Sequence, residues 1–159
     1  MEKKQILIID NSGLSYIGSD INGPILRGTE TSLILLSEEL TKKNCDVFFA
    51  NKTNQEKSVN GVHYINEKNI NKEKTYDLAI AVSNANLFNK IKSVKKAIFS
   101  VSNQSLEKFL RKRQFISTYT HKPVIVTLCD YQFKKRSFLT SPFGKLTIPI
   151  TVDRQFIDE

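Results

Sequence analysis

Gln5-Ile6-Leu7-Ile8-Ile9-Asp10 is the stretch on which the fold turns. Its apolar run is too short for a signal-peptide core and has no small-residue cleavage site after it. It reads as a strand covered on both faces. A polar loop with spaced glycines follows, over residues 10–28, and then a helix. In that helix Leu33, Leu36 and Leu40 fall at helical spacing, and Ile34 and Leu35 widen the stripe. Thr29 is the expected N-cap, and Glu30 sits in the first turn, where the dipole favours an anion. Lys42 and Lys43 close the helix, and Asn44 suits the left-handed position after it.

Outward from this unit, residues 47–50, 61–65, 78–82, 97–101 and 124–128 read as further strands. Residues 144–150 resemble a last edge strand leaving the domain. Ser83 or Asn84 caps a helix containing Leu87, Phe88 and Ile91. Residues 105–113 form a helix with Leu106, Phe109 and Leu110 inward, and residues 130–138 a short basic one. Residues 51–60 read as a polar loop, and residues 66–75 carry no clear pattern. Strands alternating with helices predict an α/β fold: a Rossmann-like, doubly wound, mostly parallel sheet of about six strands. Ligands of such sheets bind at the carboxyl ends of strands near the switch in strand order, here residues 10–29, 83–86 and 100–105.

A length of 159 residues suits one domain. The composition, 40% hydrophobic and 25% charged, is that of a globular chain. No apolar run approaches the roughly 18 residues that span a bilayer, and the start of the chain reads as a buried strand rather than a signal peptide, so the expected location is cytoplasmic. The net charge of +8 predicts an anionic partner without choosing among phosphate groups, an acidic membrane and nucleic acid. No nucleic-acid-binding motif is present, and nucleic acid is not expected. Cys45 and Cys129 belong to no metal-ligand pattern and read as buried, reduced thiols. His63 and His121 are isolated, and no metal or cofactor is expected.

Two segments resemble a known family. Arg27-Gly28-Thr29-Glu30, followed by Ser32-Leu33-Ile34-Leu35-Leu36-Ser37-Glu38-Glu39-Leu40 and Asn44-Cys45-Asp46-Val47, is similar to the glycine-glycine-x-glutamate helix of retaining GT-B glycosyltransferases of family 4. Tyr131-Gln132-Phe133-Lys134-Lys135, Pro142-Phe143-Gly144-Lys145 and Ile148-Pro149-Ile150-Thr151-Val152-Asp153 resemble that family's stretch before the interdomain linker. The resemblance implies that residues 1–150 are the acceptor-side domain and 151–159 the start of a linker. A second, donor-binding domain would lie outside this chain. It implies a hexosyltransferase-type activity, moving a sugar from a nucleotide-sugar to a glycan or lipid-linked acceptor, that this half does not perform alone. The departures are Arg27 at the first glycine of the pair and Ser100-Val101-Ser102-Asn103 where many relatives carry a histidine.

The candidate site residues follow. Gly23, Arg27, Gly28 and Thr29 form a loop facing a donor phosphate: amides at a helix N-terminus attract anions, and glycines permit close approach. A plain loop-to-helix turn explains the same residues. Glu30 either holds an acceptor hydroxyl or compensates the helix dipole, an effect worth under about 1 kcal/mol. Ser83, Asn84, Ser102 and Asn103 either line an acceptor pocket or cap helices. Basic clusters at Lys92/Lys95/Lys96, Lys108/Arg111/Lys112/Arg113 and Lys134/Lys135/Arg136 are solvated faces or lipid-headgroup contacts. Phe109, Phe115 and Tyr119 beside the middle cluster favour a peripheral position on the inner face of an anionic membrane. A reading of another class is a stand-alone, non-catalytic Rossmann-like module that binds a phosphorylated ligand or a partner protein.

Overall fold

A computed structural model of the protein describes residues 3–23, 26–111, 113–135 and 137–148. Eight strands form one sheet: β1 Lys4–Ile9, β2 Cys45–Asn51, β3 Lys57–Val59, β4 Val62–Asn66, β5 Thr75–Val82, β6 Lys92–Ser100, β7 Val124–Thr127 and β8 Lys145–Thr147. Their spatial order is β3-β4-β2-β1-β5-β6-β7-β8, and only β3 runs antiparallel to its neighbour. The helices are α1 Gly28–Lys42, α2 Asn103–Arg111, α3 Phe115–His121, α4 Asp130–Lys135 and α5 Ser137–Thr140. The architecture is α/β, as expected, with eight strands rather than about six. The proposed linker, residues 151–159, and Pro149 and Ile150 of the second family-like segment lie outside the described residues.

β1 is central because its side chains are apolar on both faces. Ile6 and Ile8 meet Leu33 and Ile34 of α1 on one side. Leu7 and Ile9 meet Ala85, Phe88, Leu106 and Leu110 on the other. Fully burying each such side chain is worth about 1.5–3 kcal/mol. The period-2 alternation of the strand thus divides the core into two layers. The buried stripe of α1 is Glu30, Leu33, Ile34 and Ser37, with Leu36 and Leu40 only half-buried. Helix α1 begins at Gly28, with Arg27 rather than Thr29 as N-cap, and Asn44 (φ 61°) takes the left-handed position after it.

The strand without a counterpart in the sequence reading is β3. Asn60 (φ 50°) and Gly61 (φ 83°) both occupy the left-handed region, as a two-residue hairpin turn demands. That turn folds β3 back on β4, so the region read as a loop over residues 51–60 contains an edge strand. The edge strand expected over residues 144–150 is seen as β8, paired with β7. The segment after β5 is a 3-10 turn, Ala85–Lys90, not an α-helix. Nine residues must return the length of an eight-residue strand, and a 3-10 turn rises about 2.0 Å per residue against about 1.5 Å for an α-helix. The basic helix expected over residues 130–138 is seen as α4 and α5, on either side of residue 136, which lies outside the described residues.

Helix α3 had no counterpart in the sequence reading, for a physical reason. It buries Ser117 and Thr118 and exposes Phe115 and Ile116, the reverse of the usual pattern. Ser117 Oγ donates to Asn86 Oδ1 (2.8 Å), and Thr118 Oγ1 donates to the Gln114 carbonyl (3.0 Å). Lys122 (φ 45°) ends the helix in the left-handed conformation, and Pro123 follows.

Candidate functional site

Because β1, β5 and β6 are parallel neighbours, their carboxyl ends share one rim. The chain leaves β1 there toward α1, leaves β5 at Ser83 and leaves β6 at Val101. The strand order reverses between β1 and β5, since β2 lies on one side of β1 and β5 on the other. Ser83 is tied to the end of β6: its N–H donates to the Phe99 carbonyl (2.9 Å), and its φ is 53°. A non-glycine residue in the left-handed region at a strand end is a strained conformation of the kind that gathers at functional rims.

A buried polar latch positions the loop after β1. The Asp10 carboxylate is 2% exposed. It accepts from Ser12 N (2.9 Å), Ser12 Oγ (2.9 Å) and Tyr16 Oη (2.7 Å). Asn51, at the end of β2, donates to the Tyr16 carbonyl (2.7 Å) and accepts from Thr53 N (2.7 Å). Burial, and then the Asp10 carboxylate, push the Tyr16 phenol well above its ordinary value. Tyr16 therefore remains the donor. Sequence reasoning missed this latch; its only local signal is the aspartate that ends an apolar strand.

The candidate residues fall as follows. Gly28 and Thr29 open α1, and a Cβ at Gly28 would meet nothing within 4 Å. Arg27 is exposed, and its N–H donates to Glu30 Oε2 (3.2 Å). Glu30 is buried and closes the helix end with that bond. Gly23 lines a cavity of about 240 Å³ with Ser15, Tyr16, Ser19, Asp20 and Leu26, a lining with one acidic group and no basic one. Asn84 accepts from Asn86 N (3.1 Å) and caps the 3-10 turn. Ser102 and Ser105 cap α2 reciprocally, each hydroxyl taking the other's N–H (3.1 and 3.0 Å). Asn103 Oδ1 is enclosed and accepts no hydrogen bond in the structure.

The other sequence candidates find ordinary partners. His121 Nε2 meets Asn89 Oδ1 at 2.8 Å in the seam between α3 and the 3-10 turn. Burial, and then Lys96, lower its pKa below the usual imidazole value. His63 lies between Ser58 Oγ (2.7 Å at Nδ1) and Asp46 Oδ1 (3.1 Å at Nε2), a serine–histidine–aspartate series across β3, β4 and β2. Ser58 and His63 are directly paired across the hairpin, and none of the cavities described is lined by any of the three. The series is a cross-strand polar ladder at the sheet edge. Both cysteines are free, but Cys129 is exposed, not buried as expected. Among the described residues, no group of three or more histidine, cysteine or acidic side chains is placed to hold a metal ion. None of their helices is long and apolar enough to cross a membrane.

A groove that sequence reasoning did not anticipate lies on the opposite face from α1. It holds about 400 Å³ between residues 67–72 and the 3-10 turn Ala85–Lys90. Comparison with protein families, with curated proteins and with solved structures finds no match to this chain.

Proposed function

We propose that this chain is the Rossmann-like, acceptor-side half of a two-domain glycosyltransferase of the GT-B kind. With a donor-binding domain it would move a sugar from a nucleotide-sugar to a glycan or lipid-linked acceptor. The observation that carries the reading is the shared rim. The α1 N-terminus at Gly28 and Thr29, the strained Ser83 beside Asn84, and Asn103 with its unpartnered acceptor oxygen follow three strands whose carboxyl ends point the same way. In this reading Ser83, Asn84, Ser102 and Asn103 line the acceptor pocket, while Gly28 and Thr29 face the donor phosphate. Glu30 acts through the helix end that it closes. Departure of a nucleoside diphosphate needs charge stabilisation that one helix terminus on an open surface does not supply. These residues alone therefore bind acceptor weakly and turn nothing over.

A second element of the proposal is a peripheral position on an anionic membrane. Ile116, 75% exposed, and Phe115, 47% exposed, project from α3 close in sequence to the basic Lys108 and Arg113. The test of the function is a panel of nucleotide-sugars and of glycan and lipid-linked acceptors, read by amide chemical-shift changes and by product formation. Acceptor-induced shifts at Gly28, Ser83 and Asn103, with no turnover, support the reading. Turnover by the 159 residues alone, abolished by Gly28→Trp, would show a complete active site and overturn it. Shifts produced only by a phosphorylated ligand, with no response to any acceptor, would favour a non-catalytic binding module.

A further inference from the structure

The chain passes from β4 to β5 without an α-helix. It takes one 3-10 turn, Glu67–Asn69, and then bends at residues 72–74, where Glu73 N and Lys74 N donate to Asn71 Oδ1, with Ile70 packed on the core. The face of β1 beside this connection is left with a groove of about 400 Å³, within the range of small-ligand sites. Its apolar lining is wholly aliphatic: Ile9, Ile70, Leu87 and Ile91. Lys68, Lys72 and Lys90 stand on its walls against a single acid, Glu67. None of these three lysines makes an ion pair among the described residues, whereas the neighbouring Lys92 is held by Glu73 at 2.8 Å. Lys72 and Lys90 also line the adjoining cavity of about 420 Å³, so both lysines belong to the walls of both cavities.

We propose that this groove is a binding site for a single-chain anionic amphiphile, an alkyl chain carrying a phosphate, sulfate or carboxylate head. The chemistry divides between the two halves of such a ligand. Aliphatic side chains offer an alkyl chain a surface that water leaves readily, and no aromatic ring is present among the lining residues to stack a nucleobase. The head sits between Lys72 and Lys90, where two unpaired cations repel each other until an anion joins them. Glu67, the one acid of the lining, is adjacent in sequence to Lys68, so the excess positive charge lies at Lys72 and Lys90. The inference does not depend on the rim being an acceptor site, because the groove is lined by a different set of residues.

The experiment is titration of the intact protein with octyl and decyl phosphate below their micelle concentrations, followed by calorimetry and amide shifts. Saturable binding is expected, with shifts at Ile70, Leu87 and Ile91. Affinity should rise about fourfold for each added methylene that enters the groove. Decanol and inorganic phosphate should each bind at least tenfold more weakly than decyl phosphate. The exposed pair Lys72→Glu and Lys90→Glu should weaken decyl phosphate at least tenfold with an unchanged circular dichroism spectrum. Phe115→Ser with Ile116→Ser should leave it unaltered. Equal binding of inorganic and decyl phosphate would reduce the groove to a simple anion site and overturn the proposal. Loss of binding in the α3 variants but not in the lysine variants would place the amphiphile elsewhere and overturn it equally.

Discussion

Tyr16 donates its phenolic hydrogen to Asp10 Oδ2 at 2.7 Å, and both residues are at most 2% exposed. This bond joins the end of the central strand to the loop that leads to α1. Through Asn51 it also joins that loop to β2. Removing the hydroxyl leaves a buried carboxylate oxygen short of one donor. Tyr16→Phe should therefore cost about 1–3 kcal/mol, read from the urea midpoint at constant slope. A midpoint within error of wild type would mean that the latch contributes nothing.

The same burial sets the alkaline limit. Tyr16, Tyr64 and Tyr76 are all held above the ordinary phenol value, chiefly by desolvation. A group whose folded pKa is raised contributes stability that is complete below its unfolded pKa, about 10, and is lost as pH rises beyond it. Stability should fall above pH of about 10, and tyrosinate absorbance of these three should appear together with unfolding. Their ionisation in a chain that keeps its native circular dichroism would contradict this.

His121 sets the acid limb with the opposite sign. Its folded pKa lies below the unfolded value because of burial and Lys96. Stability is complete above the unfolded pKa of about 6.5 and declines as pH falls through the folded one. His121→Gln should flatten the dependence of the urea midpoint on pH between about 7.5 and 5. An unchanged slope in the variant would assign the acid limb to other groups.

Two glycines separate a folding role from a functional one. Gly61 has φ 83°, and an added Cβ would lie 3.3 Å from Thr41 Oγ1. Gly61→Ala should destabilise by about 1–2 kcal/mol, the cost of a side chain in the left-handed region. Gly28 has open space and helical geometry, so Gly28→Ala should be neutral or slightly stabilising in thermal melts. The reverse ranking of the two variants would refute the turn assignment.

Two neighbours at the rim should also divide. Ser102→Ala breaks the reciprocal cap with Ser105 and should cost about 1 kcal/mol. Asn103→Asp keeps the shape and adds a charge beside an oxygen that has no donor in the structure. It should alter acceptor binding in the shift assay more than Ser102→Ala does. A larger effect from Ser102→Ala on acceptor than on stability would move the contact to Ser102.

Membrane association is a further expectation. Cosedimentation with anionic vesicles should exceed that with neutral ones at low salt and fall as salt is added, since each Lys or Arg near such a surface is worth about 1 kcal/mol. Ile116→Ser with Phe115→Ser should weaken it. Equal sedimentation with both vesicle types would remove the peripheral position from the proposal.

Much of this was legible in residue order. The run at Ile6 to Ile9 determined a doubly covered strand, because four successive apolar side chains must point alternately to two faces. Asn44 determined the end of α1, since an amide side chain tolerates the left-handed region. The Asn60-Gly61 pair carries a hairpin signal of the same local kind, but the strand before it, Lys57–Val59, is short and mostly polar and has no pattern of its own. Tertiary structure alone decided the rest. Whether Ser117 points inward depended on Asn86 and Asn89 being there to meet it. Whether Asp10 was a site or a strut depended on a tyrosine six residues away folding back over it. The lysine-walled groove arose because two stretches of weak local pattern, residues 67–72 and 85–91, flank one face of β1 without an α-helix between them. Periodicity reports what a segment does with its own backbone; a partner brought from elsewhere in the chain leaves no mark on it until the core has closed.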